Sequence, residues 1–156
     1  MRRRDREVND AEKIEQIIAS CHCIRIGFHD NGQVYIVPLN FGYEMINGNY
    51  VFYFHSAKEG RKIELIENSP YVGFEMDTNY KIYEANIACN YAARFQSIIG
   101  NGYVSIIDDS EEKKHGLTML MKQNAGNDDW TFNDEMVNAV CVFKLVVEQL
   151  SCKEHK

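Results

Sequence analysis

Hydrophobic and polar positions alternate along this chain in a way that divides it into short elements. The segment "NDAEKIEQIIAS" sets Ala11, Ile14, Ile17, Ile18 and Cys21 on one stripe, the spacing of an amphipathic helix. Asn9 followed three residues later by Glu12 fits a capping box at its start. "CIRIGFH" alternates instead, with Ile24, Ile26 and Phe28 on one face, and predicts a strand. "DNGQ" supplies the Asn-Gly pair of a tight hairpin turn. "VYIVPLNFGYEM" predicts a second strand, in which Pro38, having no N–H to donate, requires an edge or a bulge. "INGNY" is a second hairpin turn and "YVFYFHS" a third strand, which should pair with the strand before it.

Further along, "EGRKIELIENSP" predicts a short helix ended by Pro70, because proline disfavours helical geometry in the residue before it. "YVGFEMD" is the next strand. Across residues 80–93 no period dominates, and "EANIACNYAA" reads equally as a loop with a helical turn or as a distorted strand. "RFQSIIGNGYVSIID" is a long strand whose Gly100 and Gly102 mark a bulge or a close backbone approach. "DSEEKKHGLTMLMKQ" is a helix with Asp109 and Glu112 as its capping box, "NDEMVNAV" a helical turn and "CVFKLVVEQL" the final strand. The sum is six or seven strands and three short helices. Hairpins dominate, and strands do not alternate regularly with helices. That excludes a Rossmann arrangement and predicts a mainly β fold, an antiparallel barrel with helical decorations. No repeat or linker interrupts the 156 residues, which are read as one domain.

Composition narrows the function classes. Hydrophobic residues make up 45% and charged residues 26%, a globular balance. The net charge of −6 argues against a general affinity for nucleic acid or an anionic membrane. No apolar run nears the roughly 20 residues of a membrane span, and no signal-peptide pattern follows the basic N-terminus, so the expected location is cytoplasmic. "RRR" at residues 2–4 reads as a solvated tail or a small basic arm. The cysteine count of five is odd and irregularly spaced, which favours free thiols. "CHC" at residues 21–23 with His29 raises a metal site, but one intervening residue is tighter than zinc spacing. These cysteines are read as packed small hydrophobes, and no metal is expected.

Against that acidic background, "HSAKEGRK" at residues 55–62 concentrates Lys58, Arg61 and Lys62 where a strand hands over to a helix. Amides at a helix start favour an anion. Ser56 adds a hydroxyl, Arg61 a planar fork and Lys62 a point charge, together a cradle for a phosphate. The two-glycine spacing of a P-loop is absent, so triphosphate hydrolysis is not supported. The alternative is a solvated helix face in which these cations pair with Glu59, Glu64 and Glu67. Asn40 interrupts an apolar stretch and offers both donor and acceptor to the edge of a flat heteroaromatic ring.

These stretches carry a resemblance. "VPLNFGY" at 37–43, "YFHSAKEGRK" at 53–62, "ENSPYVGFEMD" at 67–77, "QSIIGNGYVSIIDD" at 96–109 and "VFKLVVEQLSCK" at 142–153 resemble the FMN-binding split barrel superfamily, the fold of pyridoxamine 5′-phosphate oxidase. The chain is most similar to its nitroimidazole-resistance (Nim-type) branch. The resemblance implies a split antiparallel β-barrel with a few short α-helices, and a homodimer with FMN at the subunit interface. It implies that Ser56, Arg61 and Lys62 hold the FMN phosphate and that Val37, Pro38, Leu39 and Asn40 lie along the ring. Gln96 and Ser97 would approach the flavin, commonly from the other subunit. His55 matches a histidine beside the flavin and is the candidate catalytic residue; as a bare strand-end histidine it reads equally as structural.

The activity implied is FMN-dependent reduction of a small aromatic or nitroaromatic compound. The alternative from another class is a flavin-binding or sensing module without turnover. Pyridoxamine phosphate oxidation is a weaker fit. It needs a second phosphate site, and only the isolated Arg94 offers itself. A haem-handling role would have to recruit His55. His22, His29, His115 and His155 are expected at the surface, and Trp130 is expected to anchor its loop. Tyr91 and Phe95 read as packing, and Met119 and Met121 face the core or a partner.

Overall fold

A computed structural model describes residues 3–156, so Met1 and Arg2, the latter part of the basic arm, lie outside the described residues. Eight strands and four α-helices follow in order: β1 (Glu7–Val8), α1 (Ala11–Ser20), β2 (Ile24–Asp30), β3 (Gln33–Leu39), β4 (Gly42–Ile46), β5 (Asn49–Ser56), α2 (Arg61–Asn68), β6 (Tyr71–Tyr83), β7 (Ala92–Ile107), α3 (Ser110–Ala125), α4 (Asp134–Ala139) and β8 (Cys141–His155). Every recorded strand pair is antiparallel, and the sheet runs β3-β2-β6-β7-β8-β5-β4, with β1 added to β8. Its two ends do not pair, so the curled sheet is an open, split antiparallel barrel with short helices.

The inner face holds the core. Ile24, Ile26 and Phe28 of β2 point inward, as their alternation predicts. With Phe41, Phe52, Phe54, Phe74 and Phe143 they form one cluster, closed by Ile17 and Ile18 of α1 and by Ile63, Leu65 and Ile66 of α2. A smaller cluster of Val51, Tyr53, Ile107 and Val142 lies under Leu117 and Met119 of α3. There the backbones nearly touch, since a Cβ on Gly42 would lie 2.2 Å from the Met119 carbonyl carbon. The central glycines of β7 do mark a bulge. The β7–β8 register shifts between Asn101 and Gly102, and a Cβ on Gly102 would lie 2.1 Å from the Val146 oxygen.

Two local expectations are corrected, and the stretch left open between loop and strand holds both, with a 3-10 turn at Ala88–Asn90. The cap of α1 is Asp10, one residue after Asn9, and its carboxylate accepts from the Lys13 N–H at 3.2 Å. The strand predicted across residues 34–45 is two strands on opposite ends of the sheet: β3 pairs with β2, and only β4 pairs with β5. Asn40 therefore does not lie on a strand beside β5. It stands where the chain crosses between the two edges, its Nδ2 donating to the His22 oxygen at 3.2 Å and to the Asn124 oxygen at 3.4 Å. Asn124 in turn donates to the Phe41 oxygen at 3.1 Å, so the end of α3 brackets the crossing. Finally, β6 and β7 extend well into the stretch that carried no period, with a bulge between Thr78 and Lys81. Pro38 does sit on an edge strand, opposite Arg25.

Candidate functional site

The strand-to-helix handover leaves β5 at Ser56 and enters α2 through Gly60, whose φ of 126° and ψ of 167° only glycine adopts without strain. No side chain caps α2. The first bonds of the helix run from Ile63 N and Glu64 N back to the Gly60 oxygen, so the N–H groups of Arg61 and Lys62 have no partner within the helix.

Arg61 does not pair with Glu59, Glu64 or Glu67. Its Nε donates to Asp30 Oδ2 at 2.6 Å, a terminal nitrogen reaches the same oxygen, and the guanidinium stacks 4.9 Å from the centre of the Tyr35 ring. Asp30 and Tyr35 were not foreseen. The only trace of this contact in the sequence is an acid beside the "NG" turn. Lys62 is half-buried and forms no ion pair among the described residues, and Ser56 Oγ donates to the Ala57 oxygen at 2.8 Å.

The other candidates spread out. Side chains alternate along a strand, so Ser56 shares the face of Phe54 and the α2 cluster, whereas His55 shares the opposite face with Tyr53 and α3. Val37 and Leu39 pack toward the core, Pro38 is exposed, and Asn40 is held at the crossing. Gln96 and Ser97 stand far along the sheet from His55 and Ser56. Val142, the partner of His55, pairs with Ile107, eleven residues beyond Gln96 and about 35 Å along the strand at ~3.3 Å per residue. Gln96 is held at both ends, accepting from Asn79 at 2.7 Å and donating to Glu154 at 2.6 Å. Within one chain, then, Ser56, Arg61 and Lys62 flank one strand-to-helix turn, while Gln96 and Ser97 lie toward the other end of β7.

Other groups depart from their sequence reading. His155 is half-buried: Arg6 donates to its Nε2 at 2.9 Å, and its Nδ1 donates to the Ala93 oxygen at 2.6 Å. His115 Nε2 and the Tyr53 hydroxyl both meet Glu44 Oε1 at 2.6 Å. Burial works to raise the Glu44 pKa, but these two hydrogen bonds outweigh it and hold the carboxyl below its usual range. Trp130 is 47% exposed and lies outside the two buried clusters. Tyr91 is exposed, and Arg94 lies flat on Tyr83, 3.8 Å from the ring centre. Cys21, Cys141 and Cys152 are buried and Cys89 is exposed, all as free thiols. Burial pushes the Cys21 thiol up to about 12. On the outer face of β3, β2 and β6, Val34 and Ile36, 70% and 61% exposed, wall an open trough of about 350 Å³ over Gly27 and Gly73. Among the described residues no helix is long and apolar enough to cross a membrane.

An open antiparallel split barrel with a cationic, uncapped helix start is the class that fold and site define. The profile of the pyridoxamine 5′-phosphate oxidase family matches residues 10–154, and the chain belongs to that family. Among solved structures it is similar to a candidate 5-nitroimidazole antibiotic resistance protein from Bacteroides thetaiotaomicron, at 32% identity and a TM-score of 0.81, over 95% of this chain and 86% of that one. Two further likenesses speak for the fold alone. A flavocytochrome from Azotobacter vinelandii has 19% identity and a TM-score of 0.79, over 100% of this chain and 72% of its own. A FAD- and haem-binding protein from Mycobacterium smegmatis has 13% identity and a TM-score of 0.80, over 97% and 74%. No curated protein matches the chain.

Proposed function

We propose that this protein is an FMN-dependent oxidoreductase that reduces a small nitroaromatic compound of the 5-nitroimidazole kind and works as a homodimer. The observation that carries the reading is the start of α2. Gly60 leaves the end uncapped, the Arg61 and Lys62 amides have no partner within the helix, and the same two residues bring two cations to that end. Those groups fit a phosphomonoester dianion, which would draw Ser56 Oγ away from the Ala57 oxygen. Family membership and the 32% identical relative support flavin as its bearer and a nitroimidazole as substrate.

When bound, FMN supplies the electron transfer itself. The chain's own residues fix and neutralise the phosphate through Arg61 and Lys62. Val37, Pro38, Leu39 and Asn40 offer the strand along which the ring lies. Gln96 and Ser97 are too distant to serve the same chain's phosphate site, so they serve the partner's flavin. The exposed trough of Val34 and Ile36 is the surface a second copy covers. His55, on the other face from Ser56, holds the proton at a ring nitrogen for the reduced substrate where that face meets the substrate.

Purified protein should show a flavin spectrum and release FMN on denaturation; a colourless protein that ignores added FMN would sink the reading. Arg61→Ala with Lys62→Ala should weaken FMN binding by roughly 1.5–3 kcal/mol per lost charged hydrogen bond while the barrel stays folded. After anaerobic reduction, mixing with a nitroimidazole should reoxidise the flavin. Reoxidation no faster than in buffer would leave a binding or sensing module without turnover. His55→Ala should retain FMN and slow that step, and an unchanged rate would make His55 structural only.

A further inference from the structure

We infer that Asp30 and Tyr35 are positioning residues for the anion site, aiming Arg61 so that one edge of its guanidinium is anchored and the other is presented to the phosphate; the inference rests on the phosphate reading above. The anchored edge is the Nε and one terminal nitrogen, both on Asp30 Oδ2. The Asp30 side chain is only 11% exposed, whereas that of Arg61 is 53% exposed. A guanidinium carries five N–H donors in a rigid fork. Two are taken by Asp30, which leaves three, and the side chain that carries them is half exposed. Tyr35 holds the plane of the group from one side at 4.9 Å.

The hairpin makes the anchor stiff. Asp30 and Gln33 close β2 and β3 around Asn31 and Gly32, whose φ angles of 49° and 84° both lie in the left-handed region of a tight hairpin turn. Asp30 thus reaches Arg61 from a fixed strand end, and Tyr35 does so from two residues into the next strand. A long arginine side chain otherwise loses rotamer freedom when it grips a ligand. Here that freedom is already lost before the ligand arrives, which favours binding. The carboxylate also carries a charge of the same sign as the ligand, so its oxygen positions while its charge opposes.

The test is FMN and riboflavin affinity by fluorescence quenching, with circular dichroism confirming the fold of each variant. Asp30→Ala should weaken FMN about tenfold, the loss of roughly one charge-assisted hydrogen bond, and leave riboflavin unchanged. Asp30→Asn, which keeps an acceptor oxygen and loses the charge, should bind FMN as the wild type does or more tightly. Tyr35→Phe should match the wild type and Tyr35→Leu should weaken FMN. In an Arg61→Ala background, Asp30→Ala should have no further effect; the double variant also removes the carboxylate that Arg61→Ala alone leaves buried and unpaired, so it serves as the Arg61-free reference if Arg61→Ala alone does not fold. Wild-type or tighter FMN binding by Asp30→Ala would overturn the inference, as would an equal loss with and without Arg61. If Arg61→Ala itself binds FMN normally, the phosphate reading fails first and takes this one with it.

Discussion

The starts of α3 and α2 solve the same electrostatic problem in opposite ways. At α3, the Asp109 carboxylate accepts from the Glu112 N–H at 2.8 Å, and Glu111 and Glu112 add negative charge in the first turn. At α2 the residue in that place is Gly60, no side chain accepts, and the helix opens with Arg61 and Lys62. The other helices follow α3: α1 is capped by Asp10 and α4 by Asn133. Acids at a helix start complete the backbone and complement the dipole from within. Cations there do the reverse and concentrate positive potential on unbonded amides. In a chain of net charge −6, this is the one α-helix start among the described residues built this way, and it is the one on which the phosphate proposal rests.

The contrast breaks most visibly if α2 is made to resemble α3. Lys62→Glu should lower FMN affinity at least a hundredfold, about 2.7 kcal/mol, because one cation is lost and a like charge faces the phosphate. Its urea midpoint should not fall, since an acid in the first turn adds about 0.3–1 kcal/mol to a helix. Wild-type affinity for FMN in that variant would remove the distinction between the two helix starts. Gly60→Ala comes next. A side chain at φ 126° and ψ 167° costs of order 1–3 kcal/mol, read as a lower urea midpoint with unchanged slope. Asp109→Ala is the control on the other side. Losing that cap should cost about 1 kcal/mol of stability and leave FMN affinity where it was. A loss of FMN there would mean that the two starts are coupled.

What the residue pattern made legible follows the range of the forces involved. The hairpins at "DNGQ" and "INGNY" depend on adjacent residues with positive φ, and Asn31, Gly32, Asn47 and Gly48 all have it. The edge position of Pro38 and the bulge at Gly102 follow from one missing donor and one missing side chain. The break between β3 and β4 was not legible, because one polar residue, Asn40, does not by itself end a strand and the crossing is fixed by Asn124, 84 residues away. The α1 cap slipped by one residue because Asn9 and Asp10 are both capping residues and only the backbone decides between them. The same division holds at the candidate site. Arg61 and Lys62 stood out as local charge in an acidic chain. Asp30 did not, since its contact with Arg61 spans 31 residues and its own neighbourhood explains it fully as a turn. Gln96 and Ser97 entered through family resemblance alone, and no local pattern tells that a strand's length separates them from α2.

The two helices also differ in how they are held to the sheet, and acid should separate them. Ile63, Leu65 and Ile66 attach α2 through apolar contact, and Arg61 at its first residue adds an ion pair to Asp30 of β2. Leu117 and Met119 of α3 pack on the sheet too, but His115 adds a polar tie to Glu44, which also receives the Tyr53 hydroxyl and lies near Lys122. The Glu44 pKa is lower folded than unfolded, so its contribution is fully present above the ordinary value of 4.5 and is lost as pH falls through the lowered native value. At neutral pH, Glu44→Gln should therefore cost about 0.5–1 kcal/mol, the scale of a partly exposed pair. As pH falls below 4.5 the gap between wild type and variant should narrow, and it should close once pH passes below the lowered native value. Hydrogen exchange gives the local version: below pH 4.5, after correction for the intrinsic rate, amides of α3 should lose protection before those of α2 do. Equal loss in both helices, or a Glu44→Gln deficit that persists undiminished in acid, would show that the ionised Glu44 carboxyl adds nothing to the hold on α3.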